Sequence, residues 1–214
     1  MPTLRVLSYN IRSLRDDGSA VARVIADTRP DVVCVQEAPR FLLWRTRCRW
    51  LARTTGLVIA AGGRDAAANL LLVHPGVTVA AARSVLFTKD PRIHQRGAAM
   101  ALLHVGESPV VIAGTHLDGY PAPRLRHVGE LFAAIDDFAP SGVGVVLAGD
   151  FNDDPGTPVW NALLQRGADA FAVAGTGDGL TLNVSDPTRR IDAIFAGDGI
   201  TVRAARSLDS DDVR

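Results

Sequence analysis

The chain has 214 residues, 23 basic and 23 acidic side chains, 47% hydrophobic residues and a formal charge of zero. That apolar fraction excludes a disordered chain, and no stretch approaches the roughly 18 consecutive apolar residues that a membrane span needs. With no bulk field to gather nucleic acid or an anionic membrane, a polyanion has to be recognised at a local site.

In chain order, short apolar runs bounded by turn residues predict strands at Leu4 to Ser8, Asp31 to Val35, Leu57 to Ala60, Leu70 to Val73, Val77 to Phe87, Ala98 to Val105, Val110 to Gly114, Val143 to Ala148, Ile191 to Ala196 and Ile200 to Ala205. A first helix fits Ser19 to Thr28, closed by Pro30, and a second fits Phe41 to Thr54 with Phe41, Trp44, Cys48 and Leu51 on one stripe. A third runs from Leu125 through Val128, Phe132, Ile135 and Ala139 to the stop at Pro140-Ser141-Gly142, and a fourth starts at Thr157, a good cap, with Pro158 in the first helical position. Strands dominate residues 57 to 115, whereas both ends mix strands and helices. This favours mixed sheets packed together with helices outside over a doubly wound parallel sheet. No linker or repeat interrupts the pattern, so residues 1–214 read as a single domain.

Cys34 and Cys48, the only two cysteines, read as reduced thiols. No signal-peptide region precedes the first strand, and the expectation is a cytoplasmic monomer without a membrane span.

Rare polar groups sit at strand ends. Asn10 closes the first strand, Glu37 the second, His116 ends VVIAGTHLD, Asp150 and Asn152 end VVLAGDFND, and Asp192 begins the strand in RRIDAIF. Strand ends present side chains to a crevice while the sheet interior stays apolar. Alone, Asn10 and Asn152 read as turn residues, Glu37 as a helix cap and Asp192 as the ion-pair partner of Arg189 or Arg190. A shared cause explains all of them together. Carboxylates and carboxamides are hard oxygen ligands suited to Mg²⁺ on a phosphate, with a nearby carboxylate to orient or deprotonate water. No zinc-type Cys/His cluster, phosphate-binding GxxxxGK[ST] loop or GxSxG elbow competes with that reading.

These motifs resemble the endonuclease/exonuclease/phosphatase superfamily: SYNIR around Asn10, QE at Glu37, Arg-Gly at Arg96, GTHL at His116, GDFN at Asp150 and Asn152, and RIDAIF at Asp192. The resemblance implies a four-layer α/β/β/α sandwich of two mixed sheets flanked by helices. It also implies a Mg²⁺-dependent phosphoesterase, with Mn²⁺ as a substitute, that hydrolyses phosphodiesters in the manner of a nuclease. By the same resemblance Glu37 is the main metal ligand with Asn10 beside it. Asp150 orients or activates water, Asn152 holds a phosphate oxygen, His116 donates to phosphate or leaving group, Arg96 contacts phosphate, and Asn69 is a polar residue at the substrate site.

One departure stands out. The family pattern ends in a Ser-Asp-His motif whose His pairs with the carboxylate represented by Asp192, and this sequence has no His after His127. Either Ser210-Asp211-Asp212 is that motif with Asp in place of His, or the motif and the final strand are missing, which is the preferred expectation. The alternative function is then a catalytically impaired or non-catalytic phosphate- or nucleic-acid-binding member. Arg40, Arg45, Arg47, Arg49 and Arg53, interleaved with Trp44 and Trp50, read equally as a nucleic-acid patch or a solvated helix face.

Overall fold

A computed structural model describes residues 2–91, 93–182 and 186–208. Its strands are β1 (Val6–Asn10), β2 (Val32–Gln36), β3 (Val58–Gly63), β4 (Asn69–Val73), β5 (Thr78–Leu86), β6 (Gly97–Val105), β7 (Ser108–His116), β8 (Val145–Asp150), β9 (Ala168–Asp169), β10 (Gly175–Thr176), β11 (Asp192–Ala196) and β12 (Ala205–Arg206). The helices are α1 (Gly18–Thr28), α2 (Trp44–Thr55), α3 (Pro121–Phe138), α4 (Pro158–Leu164) and α5 (Ala170–Ala174). A four-stranded sheet runs β1-β2-β4-β3 and a six-stranded sheet β5-β6-β7-β8-β11-β9, with β10 and β12 forming a small parallel pair. Both large sheets are mixed: β1–β2 and β7–β8 are parallel, and their other pairings are antiparallel.

Alternation along the strands sorts the core into three apolar layers. Val33, Val35, Leu70 and Leu72 face Val21, Ile25, Cys48 and Leu51 of α1 and α2. The intervening Val32, Cys34, Leu71 and Val73 face the second sheet, meeting Ala99, Ala101, Leu103, Ile112, Val146 and Ala148. On that sheet's outer surface, Ala98, Met100, Ala113, Leu147 and Phe195 pack under Val128, Leu131 and Ile135 of α3 and Val159, Trp160 and Leu163 of α4. The result is helices, sheet, sheet, helices. Small residues let the sheets approach closely. A Cβ added at Gly114 would lie 3.1 Å from Leu71 Cδ2 and 3.4 Å from Cys34 Cβ. Both cysteines are buried and free.

Helix starts follow local chemistry. Asp17 caps α1 through the Ser19 N–H, and Thr157 caps α4 through the Trp160 N–H ahead of Pro158. Two expectations need correction. The predicted second helix starts three residues late, at Trp44, because Leu43 takes a left-handed φ of 59°, and Phe41 consequently lies outside the helix and is exposed. The run Ile200 to Ala205 is not a strand: only Ala205, with Arg206, enters a pairing, a two-residue parallel contact with β10. Ser210, Asp211 and Asp212 lie outside the described residues.

Candidate active site

Sheet register gathers the polar strand ends at one end of the sandwich. Parallel pairing puts Asn10 opposite Gln36, so Glu37 follows one residue beyond. The parallel β7–β8 pair sets His116 opposite Asp150, and antiparallel β11 sets its first residue, Asp192, opposite the same Asp150. A Cβ on Gly149 would come within 2.1 Å of the Thr115 carbonyl oxygen, so only glycine lets β8 lie this close to β7 just before Asp150.

Asn10, Glu37, Arg96, His116, Asp150, Asn152 and Asp192 all line one large crevice. The Asn10 carboxamide Nδ2 donates to Glu37 Oε1 (3.2 Å) and Asp150 Oδ2 (3.1 Å), tying the two sheets together. Asn152 donates its backbone N–H to Asp150 Oδ1 (3.1 Å), and its Nδ2 donates to the Leu117 carbonyl (3.0 Å) and lies 3.0 Å from His116 Nε2. Glu37 and Asn152 both have a φ of 51°, a left-handed conformation that L side chains adopt at a cost of about 1 kcal/mol or more.

Burial dominates the electrostatics. It pushes the His116 imidazole down to about 3, helped by the Arg96 and Arg40 guanidiniums and opposed by Glu37 and Asp118, so the ring is neutral at ordinary pH. Burial and the adjoining Asp150 carboxylate push Asp192 up to about 8, against a hydrogen bond from Thr181. Asp150 is raised by burial although Asn10, the Asn152 N–H and Arg96 favour its anion. Arg96 is lowered by burial, while Asp118, Asp150 and Glu37 hold its charge.

Asn69 is the misplaced expectation. It is 1% exposed and lies outside the crevice lining, with Nδ2 donating to the carbonyls of Ala66 (2.8 Å) and Gly97 (2.9 Å). It therefore braces the backbone next to Arg96 from behind rather than facing a substrate. The Asn10 carboxamide oxygen accepts the Arg12 N–H at 3.2 Å. The ion-pair reading of Asp192 falls away, since Arg189 pairs with Asp154 and Arg190 with Asp169.

Sequence reasoning missed Asp118, which is 3% exposed and sits 3.5 Å from Arg96 Nε. Its signal was its place two residues after His116 in THLDG. Arg40, read from the sequence only as part of the arginine-rich patch, is also close enough to act on His116 and lies 3.5 Å from His94 Nδ1.

A sequence profile described as the endonuclease/exonuclease/phosphatase family matches residues 7–213. The chain belongs to this family. Its members are phosphoester hydrolases, and the fold agrees: a functionally unknown conserved protein from Enterococcus faecalis V583 superposes with a TM-score of 0.79 at 22% identity, covering 99% of this chain and 94% of that one. The mannosyl-6-phosphatase of Bacteroides thetaiotaomicron VPI-5482 gives 0.73 at 16% identity, over 92% and 86% of the two chains. ANGEL2, a 2',3'-cyclic phosphatase, gives 0.69 at 16% identity, over 92% and 84%. No curated protein matches the sequence. Among the described residues, no helix of this family member is long and apolar enough to cross a membrane.

Proposed function

We propose that this protein is a divalent-metal-dependent phosphoesterase that hydrolyses phosphodiesters, a nuclease-type reaction among its candidates. The observation that carries the reading is the Asp150 carboxylate, which touches Asn10, the Asn152 N–H and His116 in a crevice that also holds the Arg96 cation. Buried and raised in basicity, Asp150 is placed to orient water and take its proton. Arg96, held in place by Asp118, offers a guanidinium to a phosphate oxygen. The Asn152 amide and the neutral His116 ring are the uncharged groups beside Asp150, suited to hydrogen bonds with the phosphoryl group or leaving oxygen.

Among the described residues, no group of three or more His, Cys, Asp or Glu side chains is arranged to hold a metal ion by itself. The donors that do converge are oxygens: Glu37 and Asp150 reach the same Asn10 nitrogen. One or two carboxylates fit Mg²⁺, which keeps much of its shell as water and substrate oxygen. Glu37 would hold it, with Asn10 steering the carboxylate, and Mn²⁺ would substitute. When bound, the cation supplies neutralisation of charge on the phosphate.

Phosphate binding with slow turnover is a second reading, favoured by the partner of Asp192 among the described residues, which is the Thr181 hydroxyl. Hydrolysis of bis(p-nitrophenyl) phosphate with Mg²⁺, abolished by EDTA, supports the first reading. Binding of inorganic phosphate without turnover supports the second.

A further inference from the structure

The segment between β2 and α2 leaves three consecutive large apolar side chains in solvent: Phe41 is 68% exposed, Leu42 88% and Leu43 66%. Trp44, next in sequence, turns inward and packs against Gly63, which anchors the base of this tip. Behind it, Arg45, Arg49 and Arg53 follow one another at four-residue intervals on the exposed face of α2, a row about 12 Å long by helical rise. No acidic residue occurs between Glu37 and Asp65, and among the described residues none of these three arginines is ion-paired. Arg45 instead lies over the Trp44 ring at 4.4 Å.

We propose that the Phe41-Leu42-Leu43 tip and the Arg45-Arg49-Arg53 row form a docking surface for an anionic phospholipid bilayer. Aliphatic side chains at a protruding point gain by entering the interface between headgroups and acyl chains, and arginines beside them meet lipid phosphates. Nucleic acid is the poorer fit. A base stacks on a π face, and the two leucines, one of them the most exposed residue of the tip, have none. Arg40 adds a cation beside the tip, stacked over Phe41 at 5.2 Å. Binding stands independently of catalysis, so the test reads binding alone.

The wild-type protein is sedimented with phosphatidylcholine vesicles and with vesicles in which about one-third of the lipid is phosphatidylglycerol; only the anionic vesicles should carry it down, and added salt should weaken the association. Leu42→Ser with Leu43→Ser, and separately Arg45→Gln with Arg49→Gln and Arg53→Gln, should each lower the bound fraction about tenfold at unchanged melting temperature. Wild-type protein that stays in the supernatant overturns the proposal, as do variants that sediment like wild type. Salt-sensitive binding to a single-stranded oligonucleotide without vesicle binding assigns the face to nucleic acid and overturns it too. A wild-type dimer that the leucine variant converts to monomer, without vesicle binding, gives the face to a second copy with the same consequence.

Discussion

His116 and Asp150 stand directly opposite each other on parallel strands, and His116 Nε2 lies 3.4 Å from Asp150 Oδ2. Both side chains are about nine-tenths buried, at 8% exposure each. A buried imidazole beside a buried carboxylate is the pair on which the proposed chemistry turns.

Asp150→Asn keeps shape and removes charge and basicity. Metal-dependent diesterase activity should fall at least about 10²-fold, with the far-ultraviolet circular dichroism spectrum unchanged. Near wild-type activity in single-turnover assays would remove Asp150 from the water-orienting role.

Divalent metal should raise the melting temperature by binding the folded state alone. At a concentration one hundred times Kd the stabilisation is about 2.7 kcal/mol, and Glu37→Gln should lose most of it. Calorimetry that detects neither Mg²⁺ nor Mn²⁺ binding, with a flat melting temperature, contradicts the metal assignment.

The Asp192 contribution to metal-free stability should fall as pH rises, while that of His116, lowered to about 3, rises up to its ordinary 6.5. The net decline therefore belongs to the window between about 6.5 and 8. Asp192 titrates at about 8 in the folded protein against an ordinary 3.8, so between those values the native state holds a proton that the unfolded chain has released. Stability is thus greatest below about pH 4 for this group, declines across the window and levels off above about 8. Asp192→Asn should flatten the decline and raise the melting temperature at pH 8. A denaturation series at several pH values in EDTA checks it, and an unchanged slope in the variant refutes it.

Gly149→Ala should cost about 2 to 3 kcal/mol, since the new methyl meets the Thr115 backbone rather than a movable side chain. Spreading β7 from β8 separates His116 from Asp150, so activity should drop in the fraction that remains folded. Wild-type stability by urea denaturation would show that the strands have more room than the geometry implies.

Much of this arrangement was legible because alternation and strand ends are local signals. The VVCVQE and VVLAGDFN segments each combine a buried run with a polar terminus; register aligns the termini within each sheet, and face-to-face packing of the two sheets, bridged by the Asn10 amide, brings the two sets together. Other features depend on partners that no window reveals. Ile200 to Ala205 has the composition of a strand, but only Ala205 at its end finds a strand partner, in the two-residue β10. Asn69 looks like a crevice residue from its neighbours in sequence, and only the fold shows its amide spent on Gly97 and Ala66. Phe41 fits a helical stripe until Leu43 turns left-handed ahead of the helix.

Glu37 and Asn10 come from one sheet, whereas Arg96, His116, Asp150, Asn152 and Asp192 come from the other. The gap between these two groups depends on the thickness of the layer between the sheets, where a methyl added at Gly114 would press on Leu71 at 3.1 Å and Cys34 at 3.4 Å. That layer works as a spacer gauge. A larger side chain there would widen the jaws without touching a single crevice residue, and substitutions deep in the interior are therefore a route to retuning which phosphoester the protein accepts.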